Sequence, residues 1–153
     1  MKAFMKPVVG LTVLFFGFLP FTANADSAET RAIVEAVFEA FNRHDLDAIV
    51  ALYHPETRLV TPGYPEPRYG LEVIRATYKD HFDNIPGVYD EVTRIVAEGD
   101  QAAVEFTASW DQPTEDNPDA RGALKIATFF KIKEGLIVED ITYYDRMALE
   151  GSE

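Results

Sequence analysis

Cysteine is absent from the 153 residues, which excludes disulfides, thiol catalysis and thiolate metal ligands. Stability in an oxidising compartment must then come from an apolar core alone, which the roughly 128 residues after position 25 are enough to build. Histidine is scarce as well. His44, His54 and His81 stand 10 and 27 residues apart, so no short-spaced ligand pair exists, and no metal or cofactor is expected. Basic residues are outnumbered, 14 against 26 acids, and no Lys/Arg stripe offsets the imbalance. A field of that sign repels phosphates, so nucleic acid is not an expected partner. No internal repeat or low-complexity tract divides the chain.

Long apolar runs are also few. The main one, residues 8–19, is too short to span a bilayer comfortably. It follows Lys2 and Lys6, no acid precedes it, and Pro20 ends it before Ala23-Asn24-Ala25. This is the layout of a signal peptide cut between Ala25 and Asp26. The expected organisation is therefore a leader over 1–25 and one domain over 26–153, periplasmic or secreted and without stable membrane insertion. With twelve basic residues against 26 acids, that domain carries a formal charge of −14.

Asp26 followed by Glu29 predicts a helix start, and Ile33, Val34, Val37, Phe38 and Phe41 recur at helical spacing behind it. Asp45 caps a second short helix carrying Leu46, Ile49, Val50 and Tyr53, which Pro55 stops, leaving His54 as a solvent-facing residue at its end. Asp47, two residues after Asp45, is read as pairing with the helix dipole rather than as half of a carboxylate pair. A third helix after Gly70 presents Leu71, Ile74, Tyr78 and Phe82. His81 near its end is expected to face solvent and the local dipole. Residues 57–61 read as a short strand entering the loop 62–67. After Val88 the pattern turns to strands, with tight turns at Gly99-Asp100 and Glu134-Gly135 and a solvated connection over 112–120. Helices first and strands last imply an α+β domain, with helices on one face of a largely antiparallel sheet.

Over 101–110, Val104, Phe106, Ala108 and Trp110 share the inward face. For the last hairpin, a two-residue loop would need a positive φ at Glu134, whereas a three-residue loop 133–135 needs only Gly135 left-handed. The second choice pairs Phe130 with Val138, Thr128 with Asp140 and Ile126 with Thr142. Asp140 then points inward as the only acid to do so. Ile137, Ile141 and Tyr143 are left as an outward apolar row, which predicts a homodimer through the sheet.

The run Phe41-Asn42-Arg43-His44-Asp45-Leu46-Asp47-Ala48-Ile49-Val50-Ala51-Leu52-Tyr53 resembles the first-to-second helix junction of the NTF2-like superfamily, especially its SnoaL-like and ketosteroid-isomerase-like members. Further matches follow in order: Pro62, Glu66-Pro67-Arg68, Gly70 with Ile74-Arg75 and Tyr78, Ala97-Glu98-Gly99-Asp100, and Gly135-Leu136-Ile137-Val138-Glu139. The resemblance implies a strongly bent sheet wrapped around three helices as a cone, enclosing a cavity for a small apolar or aromatic molecule and often dimerising through the sheet. It does not imply one reaction, because members include isomerases, cyclases, epoxide hydrolases, dehydratases and non-enzymatic partners.

Carried over by position, the steroid-isomerase acids and tyrosine fall at Thr61, Thr128 and Val37, and the cyclase Asp and His fall at Thr142 and Thr128. None of these can do the family's chemistry. The candidate catalytic group is instead Asp140, with Tyr144 and Thr142 as donors. Candidate ligand contacts are Trp110, Tyr53, Tyr78, Phe82, Phe106, Thr128, Phe130 and Thr61. The function expected is that of an exported small-molecule-binding domain, with an isomerase-, cyclase- or hydrolase-type enzyme using Asp140 as acid/base left open as one form of it. The alternatives are a non-catalytic binding domain or a dimeric interaction module.

N-terminal sequencing of the exported protein should begin at Asp26. Membrane-bound material with Met1 intact would refute the leader.

Overall fold

The computed structural model describes residues 26–145 and residue 147. The expected leader lies outside the described residues. Among these, no helix is long and apolar enough to cross a membrane.

Asp26 caps the first helix, α1 (Ser27–Asn42), its carboxylate accepting from the amides of Ala28 and Glu29. Asp45 does the same for α2 (Leu46–Ala51) through the amide of Ala48. The third helix, α3 (Leu71–Asn84), starts at Gly70, whose φ of 91° favours glycine.

Six strands follow the order β2-β1-β6-β5-β4-β3 in one curved sheet. They are β1 (Tyr53–Val60), β2 (Arg68–Tyr69), β3 (Tyr89–Glu98), β4 (Gln101–Asp111), β5 (Arg121–Lys133) and β6 (Leu136–Tyr144). The sheet is mixed: β1 and β6 are parallel, and the other neighbours are antiparallel. This is the α+β, NTF2-like cone that the sequence predicts, with the three helices laid against the inner face.

The core forms where helix stripes meet inward strand residues. Val34, Ile49, Ile74, Val104, Ile132 and Ile137 are fully buried, and Phe38 meets Phe106 edge-on at 4.9 Å and Phe130 at 6.4 Å. Burying one such side chain stabilises the fold by about 1.5–3 kcal/mol.

An exposed strand edge would leave unpaired backbone groups, and α1 covers the edge at β3. Arg31 donates to the carbonyl of Ile95 (2.7 Å). Asn42 takes both groups of Asp90, donating to its carbonyl and accepting from its amide, each at 2.8 Å.

Four expectations are corrected here. Tyr53 opens β1 rather than closing α2, because Tyr53 pairs with Ile137 and the amide of Ile137 donates to the carbonyl of Leu52 (2.9 Å), drawing the backbone into the sheet. His54 and Pro55 therefore lie in β1. The irregularity between Tyr53 and Arg58 accommodates a residue with no amide hydrogen.

The last hairpin closes on two residues, with Glu134 (φ 53°) and Gly135 (φ 78°) both left-handed and Lys133 opposite Leu136. Val138 is then an extra residue on β6: Ile132 faces Ile137, but Lys131 faces Glu139. Beyond this bulge Phe130 pairs with Asp140, Thr128 with Thr142 and Ile126 with Tyr144, two residues from the expected register. A shift of two preserves the face, so Asp140 still points inward.

Ile137, on the turn side of the bulge, is buried in the core and leaves the outward row. The outer patch consists of Phe129, Ile141 and Tyr143 instead, with Phe129 paired to Ile141 and the rings of Phe129 and Tyr143 6.1 Å apart. Asp140 is also not the only inward acid. Asp90 on β3 faces Ala108 across the pair and is buried to the same side.

Candidate functional site

Between α1, α3 and the inner face of the sheet lies a cavity of about 420 Å³. Its floor is apolar, from Val37, Phe38, Phe41, Leu59, Phe106 and Phe130, and it opens beside the loop carrying Gly63 and Tyr64. Trp110 lies over Gly122, where a Cβ would come within 2.3 Å of the indole. Only glycine there lets the ring lie flat against β5.

Asp140 reaches the cavity wall with 3% of its surface exposed. Tyr53 donates to its Oδ2 at 2.7 Å, and Thr142 donates to Oδ1 at 3.3 Å. Behind these, the hydroxyls of Tyr78 and Tyr53 are 2.8 Å apart, as are those of Thr128 and Thr142. Because Tyr53 spends its hydrogen on the carboxylate, Tyr78 must donate to Tyr53.

Among the described residues, no cation pairs with Asp140. Arg75 is bound to Asp47 (2.9 Å), and Arg68 sits over the Tyr64 ring (4.1 Å). Burial pushes the Asp140 carboxyl from 3.8 to about 6, against the opposing pull of the hydrogen bonds from Tyr53 and Thr142 and of the nearby Tyr78 hydroxyl. Burial, reinforced by the nearby carboxylate, holds the phenols of Tyr53 and Tyr78 well above their ordinary value.

Asp90 is the second acid on the wall, 9% exposed, and burial alone raises its carboxyl to about 7. Its hydrogen bonds run through its backbone to Asn42, and none reaches its carboxylate among the described residues. Asp90 was legible only as one inward position on a strand whose alternation is weak. The positional clue is Asn42 in the helix junction, whose partner only the fold reveals.

Of the candidate ligand contacts, Trp110, Tyr78, Phe106, Thr128, Phe130 and Thr61 line the cavity, as do Thr142 and Tyr144. Tyr53 stands behind Asp140 as its donor. Phe82 turns away from the cavity to stack on His44 (4.5 Å) and pack at a tilt against Phe41 (5.2 Å). Tyr144 lies at the mouth, its hydroxyl beside Gly63. His81 lines the cavity rather than facing solvent, and burial lowers its pKa. The described residues hold no cluster of three or more metal-ligating side chains.

A family model described as a SnoaL-like domain matches residues 34–140. The chain belongs to the SnoaL-like family. Solved structures similar to this SnoaL-like chain include TsrD from Streptomyces laurentii, at 25% identity and TM-score 0.67, with 82% of this chain and 95% of that one covered. An LEH-like epoxide hydrolase of M. tuberculosis matches at 18% identity and TM-score 0.67, covering 82% and 89%. A candidate polyketide cyclase from Xanthomonas campestris matches at 23% and 0.64, covering 80% and 95%. The SnoaL-like fold is thus shared with isomerase-, cyclase- and epoxide-hydrolase-type proteins.

The two raised carboxyls have a thermodynamic consequence. Below pH 4 each acid is protonated in both folded and unfolded chains. As pH rises past the unfolded value the unfolded chain ionises first, so stability falls until pH passes the folded values near 6 and 7. His81, lowered by burial, contributes with the opposite sign, so the informative comparison is with a variant. Asp140→Asn should be more stable than wild type at pH 7.5 by roughly 2–3 kcal/mol and should lose that advantage at pH 4. Urea titrations at the two pH values measure this, and an advantage that does not depend on pH would contradict the assignment.

Proposed function

We propose that the cavity is the active site of an exported, cofactor-independent enzyme that moves a proton on a small, mostly apolar molecule, with Asp140 as acid and base. The observation that carries this reading is a buried carboxylate on an apolar wall, held by neutral donors and without a cation to pin its charge. A carboxyl near pH 6 can accept and return a proton at neutral pH.

The hydroxyl chain adds a second role. While Asp140 is ionised, Tyr78 donates to Tyr53 and Tyr53 to Asp140. Once Asp140 takes a proton from substrate, it can donate to Tyr53, Tyr53 can donate to Tyr78, and the Tyr78 hydrogen turns into the cavity. A donor thus becomes available on the wall when negative charge has developed on the substrate. Thr142, backed by Thr128, orients the other carboxylate oxygen, and Tyr144 closes the mouth.

Enolisable ketones and β,γ-unsaturated ketones incubated in deuterated water test this reading. Wild type should catalyse deuterium incorporation, and Asp140→Asn should cut it about a hundredfold or more. Absence of exchange throughout the series, or an Asn variant as fast as wild type, would leave a non-catalytic binding domain as the better reading.

We further propose that Phe129, Ile141 and Tyr143 join two copies through the outer sheet face, since 49% of Phe129 and 57% of Tyr143 remain exposed in one chain. Wild type should sediment as a dimer at micromolar concentration and Ile141→Lys as a monomer. Unchanged sedimentation of the variant would remove this face as the contact.

A further inference from the structure

The catalytic role proposed for Asp140 leaves Asp90 unused. It lies on β3, separated from β6 by β5 and β4 in the sheet, and it enters the cavity wall from the other side. Asn42 fixes both backbone groups of Asp90, so the carboxylate is held in place without being hydrogen-bonded itself. The carboxylate is largely desolvated while its oxygens stay open to the cavity, so its ionised form is disfavoured until a partner of opposite charge reaches it there. The lining supplies no lysine or arginine to relieve it.

The ligand can supply the missing charge. An anion would meet three acids, Asp80, Asp90 and Asp140, and no fixed cation, and a neutral molecule would leave the desolvated carboxylate as it is. An ammonium group would pair with it. Trp110, the next inward residue along β4 after the Asp90 partner Ala108, offers an aromatic face nearby. The surplus of acids over the whole chain raises the local concentration of cations further.

We propose that Asp90 is the anchor of a binding site for an apolar amine, seating the ammonium while the hydrocarbon body fills the cavity toward Asp140. This names the ligand class for the same cavity, and it rests on that cavity being a ligand site, not on turnover at Asp140.

The groups around Asp90 are Tyr78, Asp80 and His81 from α3, Asn42, Glu35 and Glu39 from α1, and Tyr89 and Glu91 beside it on β3. None is a fixed cation. With its carboxyl near pH 7, Asp90 carries a proton in about half of the molecules at neutral pH, and pairing with an ammonium expels it. Binding should therefore release protons.

Three probes with one hydrocarbon body separate charge from shape: 1-adamantylmethylamine, 1-adamantanemethanol and 1-adamantanecarboxylate. Trp110 is the sole tryptophan, so its fluorescence reports occupancy, and calorimetry in phosphate and in Tris at pH 7 counts protons. The amine should bind at least about tenfold tighter than the alcohol and far tighter than the carboxylate. Asp90→Asn should erase the preference and the proton release while leaving the alcohol affinity unchanged, which also shows that the variant is folded. Asp140→Asn should keep the preference whether or not wild type turns over any substrate. Equal affinity for amine and alcohol, no amine binding at millimolar concentration, a preference that survives Asp90→Asn, or one lost only in Asp140→Asn would overturn the proposal.

Discussion

The hairpin joining β5 to β6 sets the geometry on which the cavity depends. Two left-handed residues at its tip would, by simple alternation, place Ile137 inward and Asp140 outward. The extra residue at Val138 reverses the alternation between them, so Ile137 enters the core and Asp140, three residues on, enters the cavity from the same side. The parallel pairing of β1 with β6 then brings Tyr53 beside Asp140, although 87 residues separate them in sequence. Without the bulge, the carboxylate and Tyr53 would lie on opposite faces of the sheet.

The second constraint is electrostatic. Asp140 is held by hydroxyls and the carboxylate of Asp90 by no hydrogen bond among the described residues, while the arginines spend their charge outside the cavity: Arg58 on Glu139, Arg75 on Asp47, and Arg121 on Asp111. Each surface pair is worth little to stability. Keeping guanidinium groups away from Asp90 and Asp140 matters more, because a paired carboxylate would stay ionised and could not exchange a proton near neutral pH.

Fold class, helix order and the inward face of β4 were legible because each rests on periodicity over many residues, and caps such as Asp26 and Asp45 mark their helices locally. The direction of Asp140 was legible for a weaker reason. The expected turn differs from the observed one by a single position, the bulge adds another, and the two errors cancel for every residue beyond Val138 but not for Ile137. Tyr53 was misplaced because Pro55 looks like a helix stop, and only the neighbouring β6 edge turns those residues into a strand. Asp90 was missed because its burial depends on α1 crossing β3, a contact between residues 48 apart that no local pattern encodes.

Tyr78 links the two acids, since its hydroxyl bonds to the Tyr53 chain and also feels the charge of Asp90. Each acid nonetheless owes its raised pKa to its own burial. At neutral pH Asp140, near 6, is mostly ionised and Asp90, near 7, about half so, which leaves the empty cavity negatively charged without a fixed cation on its wall. A cationic nitrogen at Asp90 would complete the ionisation of that acid and offset its charge. On the proposed reading the empty cavity holds Asp140 ready as a base at a cost in stability, and the ligand brings the counter-charge that the wall lacks.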